Sequence, residues 1–394
     1  MQKWIERGKS VRMNTYSSFP IVLERGEGVY LWDIEGKKYI DFTAGIAVNA
    51  LGYGHPDYIT ALTTQLKNLS HCSNLYWNKP AIEVAEILVQ QTCFDQVFFS
   101  NSGAEAIEGA LKLSRKYGRK KKGENAFHII SMEQSFHGRT LGAITATGQP
   151  KYQKDFTPLV PGIEHISFND LKALKEAITP DTCAVLLEPV QGESGIKPAD
   201  KKYLQEVREL CTKNNILLVF DEVQTGIGRT GHLFAYEWYG VEPDIIAVAK
   251  GLGGGVPIGA ILAKQFVADC FFPGDHASTF GGNPFVCSAA KVVLQQLLKE
   301  GLLDQVKETS CYLEERLVEL QKKYDFIQEV RGIGLMKGIE FTISIGEVIE
   351  KCIEKGLLLV GAGVNVIRFV PPLIISKEEI DKGIAILDEV LRER

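Results

Sequence analysis

The chain has 394 residues, 45% of them hydrophobic and 24% charged, with a formal net charge of −5 at pH 7. That length exceeds one ordinary core and predicts two domains, and the acidic balance argues against a nucleic-acid surface. No run of about 18 apolar residues predicts a membrane span. The start, Met1-Gln-Lys-Trp-Ile-Glu-Arg, lacks an apolar signal core, so a cytoplasmic protein is expected. The eight cysteines form no CxxC and no zinc-type cluster, which predicts buried small hydrophobes in a reducing compartment and no metal site.

Residues 1–50 are mixed in character. Gly28–Asp33 and Lys38–Phe42 read as a β-hairpin with Glu35-Gly36 in the turn. A Gly-rich loop over 43–56 precedes helices predicted at 57–69 and 80–91. Gln96–Phe99 is a short strand that runs into Ser100-Asn-Ser-Gly-Ala-Glu-Ala106. A helix continues to about Tyr117, with Gly118 expected as its C-cap. A strand, a small polar turn and a helix N-terminus aim backbone N–H groups at an anion. Ser102 and Gly103 let backbone come close there; a plain N-cap at Asn101 or Ser102 is an equal alternative. The basic run Arg115–Lys122 reads as a solvated helix end and loop. Phe127–Ser131 is the next strand. It leads to Phe136, a candidate floor for a flat ring, and Arg139, a candidate carboxylate clamp. His137 between them reads as a structural histidine.

Cys183–Val190 is a strand region with Glu188 near its end, and the loop after it carries Glu193. A helix over 200–214 leads to two short apolar runs, Ile216–Phe220 and Ile245–Ala249, which end in Asp221 and Lys250. Such runs are strands buried on both faces. Charges at their carboxyl ends lie where open α/β sheets hold ligands. An acid and an amine in one crevice suit pyridoxal phosphate: the lysine bonds its aldehyde and the acid keeps its ring nitrogen protonated. A helix cap at Asp221 and an ordinary lysine at 250 are the plainer alternatives. The strand–helix alternation from 96 to 250 predicts a doubly wound, mainly parallel sheet. Ile258–Ala263 is a further strand, residues 276–284 a polar loop, and Cys287–Leu298 a helix. After Gly301, helices over 302–324, 346–355 and 377–392 surround strands at 336–341 and 365–369. The expected division is a large domain over 51–295 and a smaller one built from 1–50 and 296–394.

A rival motif is Gly226-Ile-Gly-Arg-Thr-Gly231, which follows a strand and has Asp244 downstream, as in nicotinamide-binding dehydrogenases. Three features weaken it. Residues 221–225 separate strand from glycine, little room remains for a crossover helix, and Arg229 falls within the phosphate turn.

Taken together the chain resembles the class-III, fold-type-I pyridoxal phosphate aminotransferases, and it does so over nearly its whole length. The carriers are His71–Asn78, Ser135–Thr140, Glu188–Gly195, Phe220–Gly226, Ser278–Pro284 and Arg368–Leu373. The resemblance implies that Lys250 bonds the cofactor, Asp221 binds its pyridinium nitrogen, Val223 and Phe136 cover its two faces, and Gln224 lies near its phenolic oxygen. Ser102, Gly103 and Ala104 would cradle the phosphate. The family often has threonine at the position of Ala104, so one hydroxyl contact is missing. Thr279 would reach the phosphate of a second subunit, which implies a homodimer. Arg139 and Ser278 would touch substrate, and Glu193 with Arg368 would form a gate between two unlike substrates. Within the family the motifs look most like members that move the δ-amino group of N-acetylornithine to 2-oxoglutarate in arginine biosynthesis. Ornithine, succinylornithine and 4-aminobutyrate are the alternative donors.

Overall fold

The computed structural model describes residues 1–299 and 301–394. Near the N-terminus β1 (Leu23–Glu27), β2 (Tyr30–Asp33) and β3 (Lys38–Asp41) form an antiparallel meander. Then come β4 (Gln96–Ser100), β5 (His128–Met132), β6 (Ile163–Ile166) and β7 (Thr182–Leu187). A short hairpin, β8 (Val190–Gln191) and β9 (Lys197–Pro198), precedes β10 (Leu217–Asp221), β11 (Ile245–Val248) and β12 (Gly259–Ala263). The C-terminal part adds β13 (Ile327–Ile333), β14 (Met336–Phe341), β15 (Leu357–Leu358), β16 (Val360–Gly361) and β17 (Val366–Phe369).

Seven strands make the central sheet, in the order β4-β12-β11-β10-β7-β5-β6. Only β12 runs antiparallel to its neighbours, β11 and β4. Successive residues of the inner strands feed opposite layers. Leu217 and Val219 join one apolar cluster with the helix Gly103–Lys122, while Leu218 and Phe220 join the other. Both faces are covered, so these strands are apolar throughout and only their ends can carry charge. A second sheet, β13-β14-β17-β16, lies in the C-terminal part. β15 pairs with β3, which ties the N-terminal meander to that part of the chain.

The helix that starts at Gly103 does not stop at Gly118. It runs to Lys122, and Gly123 follows it with φ +108°. Gly118 is needed for packing: a Cβ there would collide with the Ala126 carbonyl oxygen and the Cys183 side chain. The expectation about cysteines also needs correcting. Cys183, Cys211, Cys270, Cys287 and Cys352 are buried, but Cys72 and Cys93 are half-buried and Cys311 is exposed. Helix Pro284–Leu298 begins at a proline capped by Asn283, whose side chain accepts from Val286 N.

Gly118→Ala should cost about 1–3 kcal/mol, because the new methyl has no space against the sheet. Urea unfolding would register this as a lower midpoint with an unchanged slope.

Candidate active site

The carboxyl ends of β4, β10 and β11, with the loops after β5 and β7, surround one cavity of about 380 Å³. Ser102, Gly103, Ala104, Phe136, Asp221, Val223, Gln224 and Lys250 all line it, and so do His137 and Glu188.

Asp221 ends β10 and is 5% exposed. Its Oδ2 lies 2.7 Å from His137 Nδ1, and its Oδ1 accepts from Val223 N at 3.0 Å. His137 is buried too; its backbone N–H donates to Thr147 Oγ1. Burial alone would lower the imidazole pKa, but the hydrogen bond and charge of Asp221 outweigh it and raise it. The protonated imidazole is therefore favoured by its partner. The sequence reading of His137 as a structural histidine is incomplete, because the ring holds the acid that faces the cavity. No local signal announces this: its partner is 84 residues away.

Lys250 lies two residues past β11, at the start of a short 3₁₀ turn, with φ +42°. A left-handed conformation costs a residue with a Cβ about 1–2 kcal/mol, and such outliers cluster at functional sites. Among the described residues Lys250 Nζ has no hydrogen-bond partner. Burial lowers its pKa, against the pull of Glu193.

Helix Gly103–Lys122 begins at the cavity wall, and Ser102 caps it by accepting from Glu105 N. The cap and the anion cradle are compatible readings. Gly103 and Ala104 head the helix, so neither N–H has a carbonyl four residues back within it, and both are available to an anion. A Cβ at Gly103 would approach Val223 Cγ1 to 2.8 Å, which is why glycine stands there. Phe136 meets Tyr152 edge-on at 5.9 Å. Its N–H donates to Glu188 Oε2 at 2.9 Å, and Glu188 Oε1 accepts from Gly192 N at 3.3 Å. Burial pushes the Glu188 carboxyl up to about 7. Sequence reasoning placed Glu188 at a strand end but gave it no role.

Arg368 on β17 is 1% exposed, and its Nη1 donates to Glu193 Oε1 at 2.5 Å and Gln224 Oε1 at 3.1 Å. Burial tends to raise the Glu193 carboxyl, but the Arg368 guanidinium holds it below its usual value. Glu193 and Arg368 are outside the cavity lining, and so are three other expected residues. Arg139 is exposed, with its guanidinium 3.9 Å from the centre of the Tyr152 ring. Ser278 Oγ accepts from Asn101 Nδ2 and Gly281 N, and Thr279 beside it is exposed.

The dehydrogenase motif is interior structure. Arg229 is buried and donates to the carbonyls of Leu335 and Pro371 at 3.0 and 2.6 Å; burial lowers its pKa to about 9. Asp244 lies at the amino end of β11, away from the ligand edge of the sheet, bound to Arg208 and to Leu218 N. Asp221's neighbour Glu222 is also structural, accepting from Thr225 Oγ1, Ala235 N and Tyr236 N.

A cavity that joins a lone amine, a carboxyl group held by a histidine and a helix N-terminus fits a phosphorylated pyridine aldehyde: one group answers each of its functions. The model of the class-III aminotransferases matches residues 12–391, and the chain belongs to that family of pyridoxal phosphate enzymes. Two similar relatives are acetylornithine aminotransferases. That of Caldanaerobacter subterraneus subsp. tengcongensis is 52% identical over 386 residues, 98% of each chain. That of Methanocaldococcus jannaschii is 50% identical, covering 100% of this chain and 98% of the relative. Among solved structures, the ornithine aminotransferase of Toxoplasma gondii superposes with a TM-score of 0.96 at 34% identity, covering 100% and 96% of the two chains. The acetylornithine aminotransferase of Elizabethkingia anophelis gives 0.90 at 35%, covering 100% and 99%.

Burial also raises the Glu222 carboxyl from 4.5 to about 7. The folded chain then keeps a proton that the unfolded chain releases between these values, so stability falls as pH rises through that window and levels off above it. Glu222→Gln should roughly halve this slope, leaving the contribution of Glu188, which is raised to about 7 as well. Melting temperatures from pH 5 to 8 test it; an unchanged slope would mean that Glu222 is ionised throughout.

Proposed function

We propose that this enzyme transfers the δ-amino group of N-acetylornithine to 2-oxoglutarate, giving N-acetylglutamate 5-semialdehyde and glutamate, a step of arginine biosynthesis. The observation that carries the reading is the near-complete match, at 52 and 50% identity, to relatives named acetylornithine aminotransferase. Ornithine is the second reading, favoured by the TM-score of 0.96 with an ornithine aminotransferase. A shared fold carries less weight on substrate than sequence identity does.

Pyridoxal phosphate, when bound, supplies the aldehyde that takes up the amino group and the ring that accepts an electron pair. Asp221, fixed by His137, holds the ring nitrogen protonated. Ser102, Gly103 and Ala104 would hold the phosphate by the helix N-terminus, Phe136 and Val223 would cover the ring faces, and Gln224 would attend the phenolic oxygen. Lys250 is the attachment point and then the base that carries a proton from the substrate carbon. Its lowered pKa suits that task, since a neutral amine is the competent form. Arg139 and Ser278 hold the substrate, Arg139 by its carboxylate. Arg368 receives the α-carboxylate of glutamate, and Glu193 neutralises Arg368 when N-acetylornithine is bound. One pocket thereby serves two donors.

The working unit is a homodimer in the cytoplasm, with Thr279 reaching the partner's phosphate. The exposed apolar side chains of Leu75, Tyr76, Trp77 and Phe280, beside Thr279, support this reading. Residues 51–295 form the cofactor domain and 1–50 with 296–394 the smaller one.

Single-turnover rates with N-acetylornithine, ornithine and 4-aminobutyrate test the substrate. N-acetylornithine should lead in kcat/KM by about tenfold or more, and a lead for ornithine would establish the second reading.

Lys250→Ala should fold but lose at least about 10²-fold in turnover, since attachment point and base go together. Borohydride reduction and peptide mass spectrometry should fix the cofactor to residue 250 in the parent protein. A label on another lysine would refute the assignment.

A further inference from the structure

Glu193 sits in a five-residue loop between β8 and β9, whose last pair is Gln191 with Lys197. A loop of that kind is mobile unless something holds it. Its backbone has two left-handed residues in succession, Gly195 at φ +106° and Ile196 at φ +53°. Left-handed isoleucine is unfavourable and persists only where its surroundings impose it.

The C-terminal sheet imposes it. Arg331 on β13 pairs with Gly338 on β14, and Gly338 pairs with Arg368 on β17. Residues paired directly across strands share a face, so two arginines flank one glycine in a single row. Arg368 takes the front of the loop, through the Glu193 carboxylate and the Gly192 carbonyl at 3.5 Å. Arg331 takes the back: its Nε donates to the Gly195 carbonyl at 2.7 Å and the Ile196 carbonyl at 3.1 Å. Ile196 is fully buried over Gly338, where a Cβ would come within 3.0 Å of it. Arg331 is itself 11% exposed, and its Nη1 is held by Glu329 and Glu340 at 2.5 Å each. The guanidinium is therefore fixed before it meets the loop.

We propose that Arg331 is a positioning residue for substrate selection: by gripping Gly195 and Ile196 it sets Glu193 against Arg368 and so tunes the choice between N-acetylornithine and glutamate. The proposal rests on the gate role of Glu193 and Arg368. Neither carboxylate partner of Arg331 reaches the loop, so its hold is by two backbone carbonyls, which charge alone does not replace.

Arg331→Lys is the informative variant. It keeps a cation near Glu329 and Glu340 but has no Nε–H to share between the two carbonyls while its charged end is held by the carboxylates. Single-turnover kcat/KM would be measured with glutamate and with N-acetylornithine in the parent, Arg331→Lys, Glu193→Ala and the double variant. Glu193→Ala should raise the glutamate/N-acetylornithine ratio about tenfold or more, since it leaves Arg368 uncovered. Arg331→Lys should shift the ratio the same way by roughly 3- to 30-fold, and should add nothing in the Glu193→Ala background. Amide exchange in residues 192–197 should quicken in Arg331→Lys while the melting temperature stays near the parent's. If Glu193→Ala moves the ratio and Arg331→Lys does not, the role of Arg331 is refuted and the gate stands. If the Arg331→Lys shift persists in full without Glu193, Arg331 acts by another route and the proposal fails. If Glu193→Ala leaves the ratio unchanged, the gate itself fails and takes this inference with it.

Discussion

A buried polar side chain in an apolar sheet needs hydrogen bonds to offset the loss of water, and a carboxylate needs them most. Asp221 is that carboxylate, and the compensation is His137 at 2.7 Å. The surrounding architecture follows from keeping this pair buried and aimed. Strands packed on both faces deliver Asp221 to the ligand edge, and the loop after β5 brings His137 beneath it. Thr147 then fixes the histidine's own backbone. Burial lowers the pKa of both His137 and Lys250, but only His137 has a partner, Asp221, whose hydrogen bond and charge reverse the direction. One buried environment thus supplies opposite proton affinities to an acid's partner and to a base.

A second sheet contributes beside the cavity. Arg368 is almost wholly buried, yet it comes from β17 and meets Glu193 and Gln224 of the central part of the chain. Arg229 reaches the other way, to the carbonyls of Leu335 and Pro371. Buried guanidinium groups bridge the two sheets because each can satisfy several carbonyl or carboxylate oxygens at fixed angles. Glu188 extends the coupling, since one carboxylate receives both the Phe136 and the Gly192 N–H groups. The floor of the cavity and the loop that carries Glu193 are therefore set by a single side chain.

Local pattern alone determined the strand that ends in Asp221, the strand that ends two residues before Lys250, the helix N-terminus at Ser102-Gly103, and the alternation that builds the central sheet. Each rests on short-range rules: apolar runs, capping residues and glycine where backbone must approach closely. The roles of Glu193 and Arg368 came from family resemblance, since 175 residues separate them and no periodicity links them. Only the tertiary structure decided what the long-range contacts do. It made Gly118 a packing contact rather than a helix end, because the Ala126 carbonyl and Cys183 of β7 occupy the space of its missing side chain. It turned the Gly226–Gly231 motif into an interior turn, since Asp244 lies at the wrong end of its strand. It also paired His137 with Asp221, and placed Arg331, Gly338 and Arg368 in one row across three strands. Sequence patterns record which face of an element is apolar. They do not record which distant polar group that face will meet, because that depends on how the sheets pack.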